Sequence, residues 1–132
     1  MRNIFILIAT LLTFSACSNN YQPDPRVKII GHCSNSAMLV SDVNAMMRDD
    51  GFMQTQITGE NLTSSYFKVE YKIVWFDENN FKIDSILSNW AEIPAYAEQP
   101  FYINVTAPSN KAKTFRLYLK KEGNLICEQQ SN

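Results

Sequence analysis

The residues of this chain best suited to covalent or metal chemistry are three cysteines, Cys17, Cys33 and Cys127, and one histidine, His32. His32 and Cys33 are adjacent, and such a pair can ligate a metal, but a structural zinc site takes four ligands at defined spacing. There is no second histidine, so His32 reads as a surface or strand-end residue, and no metal or other cofactor is expected. Nucleophilic catalysis needs a Ser or Cys with a base and an orienting group. His32 is the one base of the usual type, and no Gly-x-Ser-x-Gly elbow occurs. Two carboxylate pairs, Asp49-Asp50 and Asp77-Glu78, have the residue types of a general acid and base. Both lie in turn-like sequence beside Gly or Asn, where solvated acids are common. The four glycines form no phosphate loop. The expectation is therefore no enzymatic activity, with a small carboxylate-dependent hydrolase as the alternative. Trp75 and Trp90 are the residues that would line a sugar or peptide surface, but core packing is expected for both.

Cys17 stands in different surroundings. Arg2 supplies a short positive region, and residues 4–12 are apolar except for Thr10. That order is a secretory signal, too short for the roughly 20 residues of a transmembrane helix. The junction Thr13-Phe14-Ser15-Ala16-Cys17 resembles the bacterial lipobox, with Phe14 where Leu is usual. The resemblance implies that the Cys17 thiolate accepts a diacylglycerol, that cleavage precedes Cys17, and that two or more acyl chains hold the protein on a membrane. Ser18 is not the Asp that retains such proteins at the inner membrane. The implied address is the outer membrane, facing the periplasm.

Charge excludes one class of partner. Of 12 basic residues Arg2 leaves with the signal, and 13 acidic residues remain. With no basic stripe, nucleic acid is not an expected partner, and there is no polybasic segment to hold anionic lipid.

The elements that must position these residues follow a period of two. Residues 18–25 are polar with two prolines and read as a tether, giving a signal at 1–16, a lipidated tether at 17–25 and one domain at 26–132. In the run Tyr66 to Phe76, Phe67, Val69, Tyr71, Ile73 and Trp75 share one face. These five are expected to be buried together and Lys68, Glu70 and Lys72, on the other face, to be exposed, the pattern of a half-buried strand. Asp77-Glu78-Asn79-Asn80 supplies a turn. Shorter alternating runs occur at Phe52 to Thr58, Phe101 to Thr106 and Phe115 to Lys120, and Val27 to Ile30 is a short apolar run. Asp49-Asp50-Gly51, Gly59-Glu60-Asn61 and Ala107-Pro108-Ser109-Asn110 read as turns between strands, and Glu122-Gly123-Asn124 as a hairpin into Leu125-Ile126-Cys127. Met38 to Met47 fits either a helix or a strand, and the strand is preferred because its neighbours are strands. Short strands with regular turns predict an all-β antiparallel sandwich.

Tyr71-Lys72-Ile73-Val74-Trp75-Phe76-Asp77, then Trp90, Ala107-Pro108 and Phe115-Arg116-Leu117-Tyr118-Leu119, resemble, together with the lipobox, the YcfL-like family of small bacterial envelope lipoproteins. The similarity covers roughly residues 38–120. The family usually has Gly where Asn80 stands, and the same turn accepts Asn. The resemblance implies an immunoglobulin-like or fibronectin-like sandwich and no known activity.

In sandwiches the first and last strands often run side by side. Cys33 follows the first and Cys127 closes the last, so in an oxidising compartment they either form a disulfide or remain two unpaired thiols. The functional expectation is a non-catalytic module, tethered to the membrane by the lipid on Cys17, that contacts an envelope protein or the cell wall. A carrier of apolar ligands is a further alternative, and it would need an internal cavity.

Overall fold

A computed structural model describes residues 21–31 and 34–123. Its elements run β1 (Val27–Ile29), α1 (Ser34–Ala37), β2 (Met38–Met47), β3 (Met53–Asn61), β4 (Phe67–Phe76), β5 (Lys82–Ile83), β6 (Ala91–Ala95), β7 (Pro100–Thr106) and β8 (Thr114–Lys121). The single-turn α1 apart, the fold is all β, and a β-sandwich of two sheets fits it.

One sheet has the order β1-β8-β4-β5, with β6 also pairing β4, and the other has the order β2-β3-β7. Every pair is antiparallel except β1 and β8, which run parallel with Val27 opposite Leu117 and Ile29 opposite Leu119. A parallel pair needs a long connection, and here nearly the whole domain lies between the two strands.

The period of two governs what faces inward. On β8, Phe115, Leu117 and Leu119 are buried, and on β7 Phe101 and Ile103 are buried while Tyr102 and Asn104 are exposed. On β4, Phe67, Val69, Ile73 and Trp75 enter the core. The Trp75 and Phe115 rings meet across β4 and β8 at 5.7 Å between centroids, tilted by 55°, an arrangement favoured by the ring quadrupoles.

Three expectations are corrected on these strands. Tyr71 is half-buried rather than buried, because the adjacent β6 offers only Ala91 opposite it. Lys68, Glu70 and Lys72 are half-buried rather than exposed, because β4 is flanked by β8 on one side and by β5 and β6 on the other. Trp90 is exposed, not packed in the core. It precedes β6 and lies under the Lys120 ammonium.

Residues 38–47 are a strand, as preferred. β-branched Val40 and Val43, with Asp42 and Asn44, are poor helix formers, and the segment pairs with β3 from Met38 opposite Asn61 to Met47 opposite Met53, broken by a bulge between Val40 and Asp42. Gly59-Glu60-Asn61 is not a turn but the end of β3. Gly59 stands opposite Phe101, and a Cβ there would overlap the Phe101 ring. Glycine is used at this point for close packing rather than for chain reversal. The turn after β4 forms as read: the Asn80 amide donates to the Asp77 carbonyl at 3.1 Å, and Asn80 adopts φ 64°.

Candidate interaction surface

The sequence-derived site residues Cys17, His32, Cys33 and Cys127 lie outside the described residues. So do Leu125 and Ile126 of the expected hairpin. The strands leading toward Cys33 and Cys127 are described. β1 and β8 are neighbours and parallel, so their C-terminal ends lie at the same end of the sheet, where the Lys121 amide donates to Ser34 Oγ at 3.0 Å.

The carboxylate pairs hold turns. Asp77 Oδ1 accepts from the amides of Asn79 and Phe81, both at 2.9 Å. Asp50 Oδ1 accepts from the Phe52 amide at 3.2 Å, and its other oxygen meets Arg48 at 2.8 Å. Asp49 and Glu78, beside them, are exposed. Among the described residues no group of three or more His, Cys, Asp or Glu is placed to hold a metal ion, and no helix is long and apolar enough to cross a membrane.

Buried polarity is also structural. Asn61 is 1% exposed. Its Nδ2 donates to the carbonyls of Ser65 at 2.8 Å and Ala95 at 3.0 Å, and its Oδ1 accepts from the Thr63 amide and hydroxyl at 2.8 Å. One side chain thus ties the β3 end, the following loop and β6 together, replacing the water each group would otherwise keep.

Two surfaces stand out among the described residues. The first is the edge of the three-stranded sheet. β2 is its outer strand over ten residues, and from Ser41 onward all but Val43 are exposed. The segment before β1 folds back onto the start of this edge. The Tyr21 hydroxyl donates to the Val40 carbonyl, and Arg26 Nη2 donates to the Val43 carbonyl at 3.4 Å. Arg26 is held by Asp24, with Nη2 at 2.7 Å from Oδ2 and Nε at 3.0 Å from Oδ1, and its guanidinium lies 5.0 Å from the Phe115 ring centroid. The side-chain hydrogen bonds from Arg26 hold the Asp24 carboxyl below the usual range, and the same pair raises Arg26. Burial raises the Tyr21 phenol. A cleft of about 560 Å³ lies between this segment and residues 40–43.

The second surface is the outer face of the five-stranded sheet. Lys28, Tyr118 and Lys72 lie in one row across β1, β8 and β4. Arg116 stacks on Phe76 at 5.5 Å and Lys120 on Trp90 at 4.5 Å. Beside this face, Phe81 just before β5 and Ile86 and Leu87 between β5 and β6 are exposed. Little in the residue pattern points to this apolar loop. The pair Ile86-Leu87 between two serines, followed by Trp90 in a stretch without period, was the available signal.

A family described as a protein of unknown function, DUF1425, matches residues 28–121. The YcfL-like resemblance falls within that segment, and the two agree. No curated protein matches the sequence. The fold is similar to the crystal structure of Campylobacter jejuni cj0090, with a TM-score of 0.63 at 19% identity, covering 75% of this chain and 100% of that one. It is also similar to a DUF1425 family member from Shewanella sp. pv-4, with a TM-score of 0.57 at 21% identity, covering 72% of this chain and 81% of that one.

Proposed function

This chain belongs to the DUF1425 family, whose function is unknown, and from that premise we propose that it is a lipid-anchored, non-catalytic interaction module of the bacterial envelope. In this reading residues 1–16 are removed, Cys17 carries the lipid at the outer membrane facing the periplasm, and the domain binds an envelope protein or the cell wall. The anchor rests on the lipobox resemblance at Cys17. The absence of catalysis is inferred from the employment of Asp50 and Asp77 as turn acceptors.

The observation that carries the interaction role is the outer edge of β2, which no further strand pairs among the described residues. An unpaired strand edge is a template for another extended chain. The N-terminal segment occupies the carbonyls of Val40 and Val43, which leaves Asn44 to Met47 as the stretch on which a partner strand would pair.

Two measurements test the reading. Metabolic labelling with an alkyne fatty acid is expected to tag the wild type and not Cys17→Ala, and equal labelling would refute the anchor. A photo-crosslinking amino acid at Asn44 or Met46, activated in cells, is expected to capture an envelope component that the same probe at Lys111 does not. Identical capture from all three positions would refute the edge.

A further inference from the structure

The Ser85–Ser88 turn presents the most exposed large apolar side chain among the described residues, Ile86, with Leu87 next to it. Ile86 is 87% exposed and Leu87 is 62% exposed. They are the two central residues of the turn, positions usually filled by Gly, Pro, Asn, Asp or Ser. Neither turn chemistry nor core packing accounts for two aliphatic residues there.

The turn is ordered by its own hydrogen bonds. The Ser88 amide donates to the Ser85 carbonyl at 3.1 Å, the Leu87 amide to Ser85 Oγ at 3.0 Å, and Asn89 Nδ2 to the Ile86 carbonyl at 2.7 Å. These bonds pair the Leu87 and Ser88 amides and the Ser85 and Ile86 carbonyls within the turn, which lowers the cost of taking it out of water.

The face beside it carries Lys28, Lys68, Lys72, Arg116 and Lys120 against Glu70, Glu92 and Glu122, an excess of positive charge in a chain whose net charge is −1. Lys28, Lys72 and Arg116 point to the outer side of the sheet and have no carboxylate partner among the described residues. Trp90 lies on the same side, under Lys120. Aliphatic side chains at a tip, a tryptophan behind them and lysines around them match the layering of a bilayer interface.

We propose that this turn and the outer face of the five-stranded sheet rest on an anionic phospholipid bilayer. Ile86 and Leu87 enter the acyl boundary, and Trp90 sits at headgroup level. The proximity of a bilayer rests on the reading of Cys17 as the lipid site, while the choice of face does not. The four residues from Cys17 to Tyr21 reach about 14 Å when extended, so an acylated Cys17 keeps the domain at the headgroup layer.

The test uses the full chain purified from membranes and mixed with vesicles of phosphatidylglycerol and phosphatidylcholine whose acyl chains carry bromine, a short-range quencher of tryptophan. Trp75 is fully buried and supplies a constant background. Trp90 emission is expected to be quenched in the wild type. In Ile86→Ser/Leu87→Ser at least half of the lost emission should return, with an unchanged thermal midpoint because both sites are exposed. In Lys72→Glu/Arg116→Glu the quenching should fall at low salt. Equal quenching in the wild type and the turn variant overturns the proposal, as does no quenching in either. So does a concentration-dependent dimer, seen by sedimentation, that the turn variant abolishes. The mass of Cys17 is measured separately. If no acyl group is found, the anchor reading fails while quenching still decides the fate of the turn.

Discussion

The Lys121 amide donates to Ser34 Oγ at 3.0 Å, joining two residues 87 positions apart in sequence. Ser34 immediately follows Cys33, and Lys121 ends β8 six residues before Cys127. Because β1 and β8 are parallel, the chain leaves both strands at this end of the sheet.

Cys33 and Cys127 lie outside the described residues, and the expectation to test is that they form a disulfide in the oxidised protein. The closed loop would span most of the domain and would stabilise it by about 4–5 kcal/mol in the chain-entropy model. Alkylation of the unreduced, unfolded protein, followed by mass measurement, is expected to leave both thiols unmodified. Two modified cysteines besides Cys17 would mean that no bond forms.

Ile73 is 2% exposed and lies opposite Leu117 on β8. Its truncation to Ala should cost about 2–5 kcal/mol through lost burial and a residual cavity. Lys72 points to the other face with no ion pair among the described residues, and Lys72→Ala should change stability by less than about 0.5 kcal/mol. Urea unfolding of the two variants compares them, and similar midpoints would contradict the facing of β4.

Gly59→Ala should destabilise by about 1–3 kcal/mol, the usual range for overpacking a filled core. The added methyl would occupy space held by the Phe101 ring. Combining it with Phe101→Leu should recover part of the loss, so the double variant should be more stable than the sum of the single effects. Additive midpoints would show that the ring is not the obstacle.

The Asp24–Arg26 pair makes a pH-dependent contribution. Asp24 is held below its ordinary value, chiefly by the Arg26 side-chain hydrogen bonds. A depressed carboxyl stabilises the fold at pH above its unfolded value, about 3.9, and that contribution disappears as pH falls through the lower folded value. Both side chains are partly exposed, at 24% for Asp24 and 35% for Arg26, so the effect should stay within about 1 kcal/mol. Asp24→Asn should therefore lower stability slightly at pH 7 and not at pH 2. Matching differences at both pH values would rule out a titrating carboxylate.

The sequence by itself determined what its local period encodes. The inward faces of β7 and β8, most of that of β4, and the reversal at Asp77–Asn80 follow from pleat geometry and turn chemistry, which act between near neighbours. It also marked Cys17 as a place for covalent chemistry. Tertiary structure decided what depends on residues distant in the chain. Gly59 looked like a turn residue and is strand, because the Phe101 ring lies over it. Tyr71 shares its neighbours' face but only half their burial, because Ala91 is what β6 sets opposite it. Trp90 lies outside the core, because β6 begins one residue later and its ring meets Lys120 across the sheet. The open edge of β2 and the apolar Ile86-Leu87 tip are properties of strand order, which no periodicity encodes: a side chain's alternation is fixed by its own strand, but its cover is fixed by whichever strand arrives beside it.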